Sequence, residues 1–324
     1  LLAMASVTPT QLGLFVVLTL MVALAGATLD IAVDAYRIEI APMEAQGALV
    51  ATYSLGYRIA LIVTGAGALV LADLAIWPHV YRAMAACMLI AVIANFVARE
   101  PEVIRIKAQT WAEGMREGVV EPFLDFFRRF GGRVGLLILM FILLFKISDQ
   151  ALVGGLIGPF YLDQGYSKTE IAAVSKVYGI WVGIAGAFVG GIAVLRLGVE
   201  RALLIGIVLG AVSNLLYLLL IGANGNIGML TLVISGENFA QGILGTTAVA
   251  YLSALVNQRY TATQYALFSS LITLPGKVLG FYSGRIVEAF GYAPYFWITA
   301  LAIIPAVALY FWLRPRVKLG GDAA

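Results

Sequence analysis

The sequence predicts an all-α polytopic membrane protein with about nine transmembrane helices. Composition is the first observation: 61% of the 324 residues are hydrophobic and 12% charged, against about 25% charged in a soluble domain. The second is that the apolar residues fall into nine runs, each near the ~20 residues that a helix needs to cross a bilayer core. No stretch alternates as a barrel strand does. A backbone in lipid must satisfy its own amides, so helices are the expected form.

The runs are residues 12–29, 47–72, 80–98, 134–162, 171–195, 202–223, 229–256, 265–289 and 293–313. The first includes a charge-free stretch, Leu12 to Thr28, which gives way to Asp30, Asp34 and Arg37. Helical spacing sets these three on one flank. They mark either a helix end surfacing into water, with Arg37 pairing Asp34, or a polar face turned into a protein cavity.

Residues 99–133 separate the third run from the fourth. They hold seven of the 21 Lys/Arg and six of the 18 Asp/Glu, with Trp111, Phe123, Phe126, Phe127 and Phe130 among them. Such a mixed-charge, aromatic segment suits a helix along a membrane surface. The expected organisation is therefore residues 1–98 as one helical group, 99–133 as an amphipathic cytoplasmic linker, 134–314 as a six-helix group and 315–324 as a tail. Lys/Arg placement predicts an outside start and an inside finish, because the linker, Arg37, Arg196, Arg201, Arg259, Arg314, Arg316 and Lys318 then all face inward.

Cys87 and His79 are each the sole residue of their kind. That excludes a disulfide framework and a His/Cys metal cluster, and no cofactor motif is present. A net charge of +3 without a basic patch argues against a nucleic-acid partner. An intramembrane enzyme would need a nucleophile with its base or a metal site, and the sequence offers neither.

Arg58, Lys146, Asp149, Lys176, Glu237, Lys277 and Arg285 fall inside the apolar runs. Each costs about 2.5–3.5 kcal/mol at a helix centre on insertion scales, so each needs a partner or a wet cavity. Seven across at least five helices point to a polar central cavity. Lys146 and Asp149, spaced i, i+3, either neutralise each other and stiffen one helix or open when a proton or an anionic ligand replaces one partner. Lys176 has no acid within a turn. Glu237, Asn238 and Gln241 share a side of a helix rich in Gly242 and Gly245, where glycines allow close helix approach. That amide–carboxylate row suits sugar hydroxyls or peptide groups, and Glu237 suits equally a protonated structural acid. Gly190 and Gly191 precede Arg196 and Arg201 at an inner loop.

A weak repeat aligns residues 43–67 with 261–285 at an offset of 218, matching Gln46 to Gln264, Ala48 to Ala266 and Leu49 to Leu267. Parallel repeats of this sort are characteristic of major facilitator halves. Taken together, several stretches resemble the AmpG-type muropeptide permeases of that superfamily. The resemblance rests on Asp30, Asp34, Ala35, Tyr36 and Arg37; on Gln46, Gly47, Gly56, Tyr57 and Arg58; on the Lys146–Asp149 pair and Lys176; and on the "ENFAQGILGTT" and "TATQYALFSS" stretches. Leu29 stands where these permeases usually carry glutamine, and Lys277 where arginine is expected.

The resemblance implies a major facilitator fold, with the last three helices of the first half and all six of the second. By the same resemblance the family's first three helices are expected to lie outside this sequence, and these 324 residues on their own are expected not to transport. The resemblance further implies proton-driven import of 1,6-anhydro-muropeptides across the bacterial inner membrane. Asp30, Asp34, Asp149 and Glu237 would then couple protons, and Arg37, Tyr57, Arg58, Lys146, Lys176, Asn238, Gln241 and Lys277 would meet the glycopeptide. The partners expected are that small molecule, protons and the lipid bilayer. A major facilitator transporter of another anionic solute, such as acetyl-CoA or a peptide, is the alternative.

Overall fold

The computed structural model describes residues 1–7, 11–42, 45–101, 110–149 and 156–317. Among them every regular element is helical. Before the linker come α1 (Leu12–Glu39), α2 (Gln46–Leu61), which passes through a π-helical turn into α3 (Ala68–Leu74), and α4 (Trp77–Val97). The linker holds α5 (Trp111–Met115) and α6 (Glu121–Phe130). After it follow α7 (Gly132–Leu144), α8 (Ile157–Asp163), α9 (Lys168–Ile171), α10 (Gly179–Leu197), α11 (Val199–Ser213), α12 (Ile227–Leu255), α13 (Thr261–Phe290), α14 (Tyr292–Leu301) and α15 (Ile304–Leu313).

Each of the nine apolar runs lies mostly on helix where it is described. By length and composition, six helical stretches can each cross a membrane: Leu12–Glu39, Trp77–Val97, Thr169–Leu197, Val199–Leu220, Ile227–Leu255 and Tyr292–Leu313. The run 134–162 differs from expectation, because α7 ends at Leu144 and a turn at Phe145–Lys146 follows. Residues 150–155 lie outside the described set. Asn214 ties the segment just beyond this turn to the bundle: its Nδ2 donates to the Ser148 carbonyl at 3.0 Å and to Thr299 Oγ1 at 3.3 Å.

At 28 residues and a 1.5 Å rise, α1 is about 42 Å long and overruns a ~30 Å hydrocarbon core. Its last turns carry the polar flank. Gly131, Gly198 and Gly291, with φ of 77°, 79° and 82°, turn the corners α6–α7, α10–α11 and α13–α14, a conformation that a Cβ disfavours.

The linker stretch Ala112–Phe130 meets Gly132–Asp149 at 108°, so it runs across the bundle end. α6 does more than float on a surface. Phe126 is 2% exposed and packs edge-on against Phe268 of α13, 5.5 Å between centroids. It joins a core with Phe141, Phe145, Tyr251 and Tyr310. A second core, at Phe160, Tyr161, Tyr217, Tyr295 and Phe296, closes the other end.

The helices before the linker reach those after it along two seams, α1 on α13 and α2 on α10 and α12. The tightest packing is α10 on α12, where glycines remove the side chains that would hold backbones apart. A Cβ at Gly242 would collide with the Gly183 carbonyl, and one at Gly186 with the Phe239 carbonyl. Gly245 faces open space instead. Gly242→Ala is therefore expected to destabilise the detergent-solubilised protein by at least the ~1–3 kcal/mol of an overpacked core, while Gly245→Ala leaves its thermal midpoint unchanged; equal midpoints for the two variants would contradict this packing.

Candidate functional site

Two polar levels can be built up from the helices. The first lies at the α1 C-terminus. Arg37 there is 5% exposed, and its guanidinium gathers partners from four helices. It pairs with Asp34 of its own helix at 3.6 Å and donates to Gln46 Oε1 of α2 at 3.1 Å. Both terminal nitrogens lie 3.3 Å from Ser253 Oγ of α12. The rings of Tyr53 and Tyr265 flank it at 5.9 and 5.5 Å. An arginine fork suits such shared bonding because its donors are fixed in one plane. Gln46 returns the contact by donating through Nε2 to the carbonyls of Arg37, Ile38 and Ala41, which closes the end of α1.

The repeat seen in sequence has a physical counterpart here. Gln264, in the first turn of α13, accepts from Arg129 Nη2 at 3.1 Å and donates to the Pro122 carbonyl at 2.9 Å. It also bonds Asp125 and the Asn257 amide, and Arg129 in turn pairs with Asp125 at 3.1 Å. Both glutamines thus hold an arginine and cap a carbonyl. At Gln46 the arginine comes from the preceding helix; at Gln264 it comes from the linker.

The second level is at mid-helix. Arg58 leans from α2 onto α10, and a Cβ on Gly183 would lie 2.6–2.8 Å from its guanidinium atoms. The same guanidinium is within electrostatic reach of Glu237 on α12. Asn238 Nδ2 donates to Glu237 Oε2 at 2.9 Å and to the Ile234 carbonyl at 3.1 Å. Glu237 also acts electrostatically on the hydroxyls of Tyr161 and Tyr217, themselves 3.4 Å apart. Lys146 and Asp149 form the expected pair at 3.2 Å, beside the Ser148 carbonyl that Asn214 holds. Gln241 Nε2 is buried with no hydrogen-bond partner among the described residues.

Not every expected residue joins these clusters. Asp30 is exposed, though within reach of Asp34 electrostatically. Tyr57 is 59% exposed. The side chains of Lys176 and Lys277 lie outside the described set. Arg285 stacks 6.0 Å over Phe281 of its own helix. Sequence reading missed Ser253, Tyr53, Tyr265, Tyr161, Tyr217 and Asn214 as parts of the polar levels. An asparagine inside the apolar run 202–223 was the available signal.

A helical membrane bundle with ionisable side chains gathered at mid-helix suits a transporter, and the family comparisons point to a transporter rather than an enzyme. Residues 139–323 match the Major Facilitator Superfamily model. A Rickettsia conorii protein named AmpG 4 is 34% identical over 98% of this chain and 77% of its own length. A Haemophilus influenzae protein is 36% identical over 94% of this chain and 73% of its own. The anhydromuropeptide permease of Escherichia coli is 34% identical over 95% of this chain, which spans 62% of that permease. The chain belongs to the major facilitator superfamily, within its AmpG family of transporters.

Removing one partner of a buried ion pair costs about 3–5 kcal/mol when the other is left charged. Arg37→Met is accordingly expected to lower the thermal midpoint by several degrees, and adding Asp34→Asn to recover part of the loss. Additive losses in the double variant would show that the two side chains act independently.

Proposed function

We propose that the protein imports 1,6-anhydro-muropeptides from periplasm to cytoplasm across the bacterial inner membrane, driven by the proton gradient. The observation that carries the reading is Arg58, which comes from the helices before the linker, lies against Gly183 and is within electrostatic reach of Glu237, both from those after it. A site shared by both groups is what alternating access requires, since rocking of one half against the other must expose the ligand to each side in turn. A glycopeptide bears carboxylates for Arg58 and Lys146, and hydroxyls and amides for Asn238 and Gln241. The name of the Escherichia coli relative, an anhydromuropeptide permease, supports the same ligand class.

The chemistry follows from exchange of partners. A ligand carboxylate entering beside Arg58 competes with Glu237 for the guanidinium. One entering beside Lys146 competes with Asp149, and a proton on Asp149 releases the lysine to receive it. Arg37 is the latch at the proposed cytoplasmic end. Opening there means withdrawing it from Ser253 and Tyr265, and protonating Asp34 weakens the grip of α1 on its charge.

The test is uptake of labelled GlcNAc-anhydroMurNAc-peptide by permease-deficient bacterial cells expressing the whole reading frame that encodes this sequence. Expected is saturable uptake that an uncoupler abolishes and that unlabelled muropeptide, but not acetyl-CoA, competes away. Asp149→Asn should cut accumulation at least tenfold while ligand exchange falls less. Accumulation by that variant at the parental level would remove Asp149 from the coupling.

Orientation is checked separately. In a Cys87→Ser background, a cysteine at Ala112 in α5 is expected to resist an impermeant thiol reagent in intact spheroplasts and to react after permeabilisation. Labelling in intact spheroplasts would reverse the assignment.

A further inference from the structure

We infer that Gly183 is a positioning residue for transport, its missing side chain forming the socket that holds the Arg58 guanidinium between the two groups of helices. The three heavy atoms nearest to a Cβ built on Gly183 all belong to that guanidinium: Nη1 at 2.6 Å, Nη2 at 2.7 Å and Cζ at 2.8 Å. Real Cβ atoms do not come so close, so the charged head fills the volume that any other residue would need.

The neighbouring glycines serve another purpose. At Gly186 and Gly242 the space is taken by backbone of the facing helix, and at Gly190 a Cβ would lie 3.0 Å from Ile243 backbone atoms. Those three set how closely α10 and α12 approach. Gly183 contributes its carbonyl to that contact, against Gly242, while its open Cα side receives a side chain from a third helix, α2. Two functions thus occupy one residue on opposite sides.

The socket also has electrostatic direction. Arg58 lies against α10 and is drawn towards Glu237 on α12. Asn238, whose amide is bonded to Glu237 at 2.9 Å, packs near Gly179, one turn before Gly183. The guanidinium is therefore seated on bare backbone with the Glu237 carboxylate within electrostatic reach. Burying a charge without such partners would be costly. A methyl group on Gly183 evicts the head from its seat. Because the head ends a flexible chain, the fold survives and the loss falls on ligand recognition.

This inference rests on the proposed role of Arg58 in binding ligand carboxylate, and the experiment separates the two. Gly183→Ala, Arg58→Ala and the double variant are compared with the parent by thermal unfolding in detergent and by the concentration dependence of labelled anhydro-muropeptide uptake in cells. Gly183→Ala is expected to raise the half-saturation concentration at least fivefold with maximal rate held within about twofold. In the Arg58→Ala background it should change neither that constant nor the thermal midpoint further, because the displaced group is gone. Equal effects of Gly183→Ala in both backgrounds would overturn the socket. Thermal coupling without any change in half-saturation would uphold the socket and remove Arg58 from ligand binding.

Discussion

The polar interior depends on one constraint, the contact of α10 with α12 across backbone rather than side chains. In lipid no hydrophobic force draws helices together, so association relies on close van der Waals packing and on bonds between polar groups. Gly186 against the Phe239 carbonyl and Gly242 against the Gly183 carbonyl supply that packing. Glu237 and Asn238 lie about one turn from Gly242, so their distance from α10 is fixed by the same glycines. Arg58 then enters from α2 into a frame already set.

Arg37 answers the question its sequence context raised. It is neither a helix end merely surfacing into water nor a lone buried charge. Its network with Asp34, Gln46 and Ser253 uses most of its donors, leaving Nε without a partner among the described residues. Such a network rigidifies when satisfied and is costly when half broken. The arrangement suits an element with two discrete states better than one that bends continuously.

Local spacing was legible and distant pairing was not. The i, i+3 spacings of Asp34 with Arg37 and of Lys146 with Asp149 became pairs at 3.6 and 3.2 Å, since helix geometry alone brings such residues together. The apolar runs located the helices for the same reason. Ser253, 216 residues from Arg37, carries no mark in sequence that it will accept from an arginine. The turn after Leu144 was hidden because hydropathy registers side chains, and Phe145 is as apolar as the helix before it. Gly242 and Gly245 looked equivalent in the sequence, yet only Gly242 faces α10. Gln46 and Gln264 are intermediate: their match was visible, but the arginine each would hold was not.

The grip on α6 has a mechanical meaning. Phe126 is wedged against Phe268, and Arg129 bonds both Gln264 and the Leu255 carbonyl at 3.1 and 3.0 Å. In any rearrangement that keeps these contacts, α6 rides with α12 and α13 as freight. The corner at Gly131 then transmits torque instead of relieving it. Of the charged segment, at least Gly118 to Phe130 therefore belongs mechanically to the helices that follow it, since Thr263 also donates to the Gly118 carbonyl.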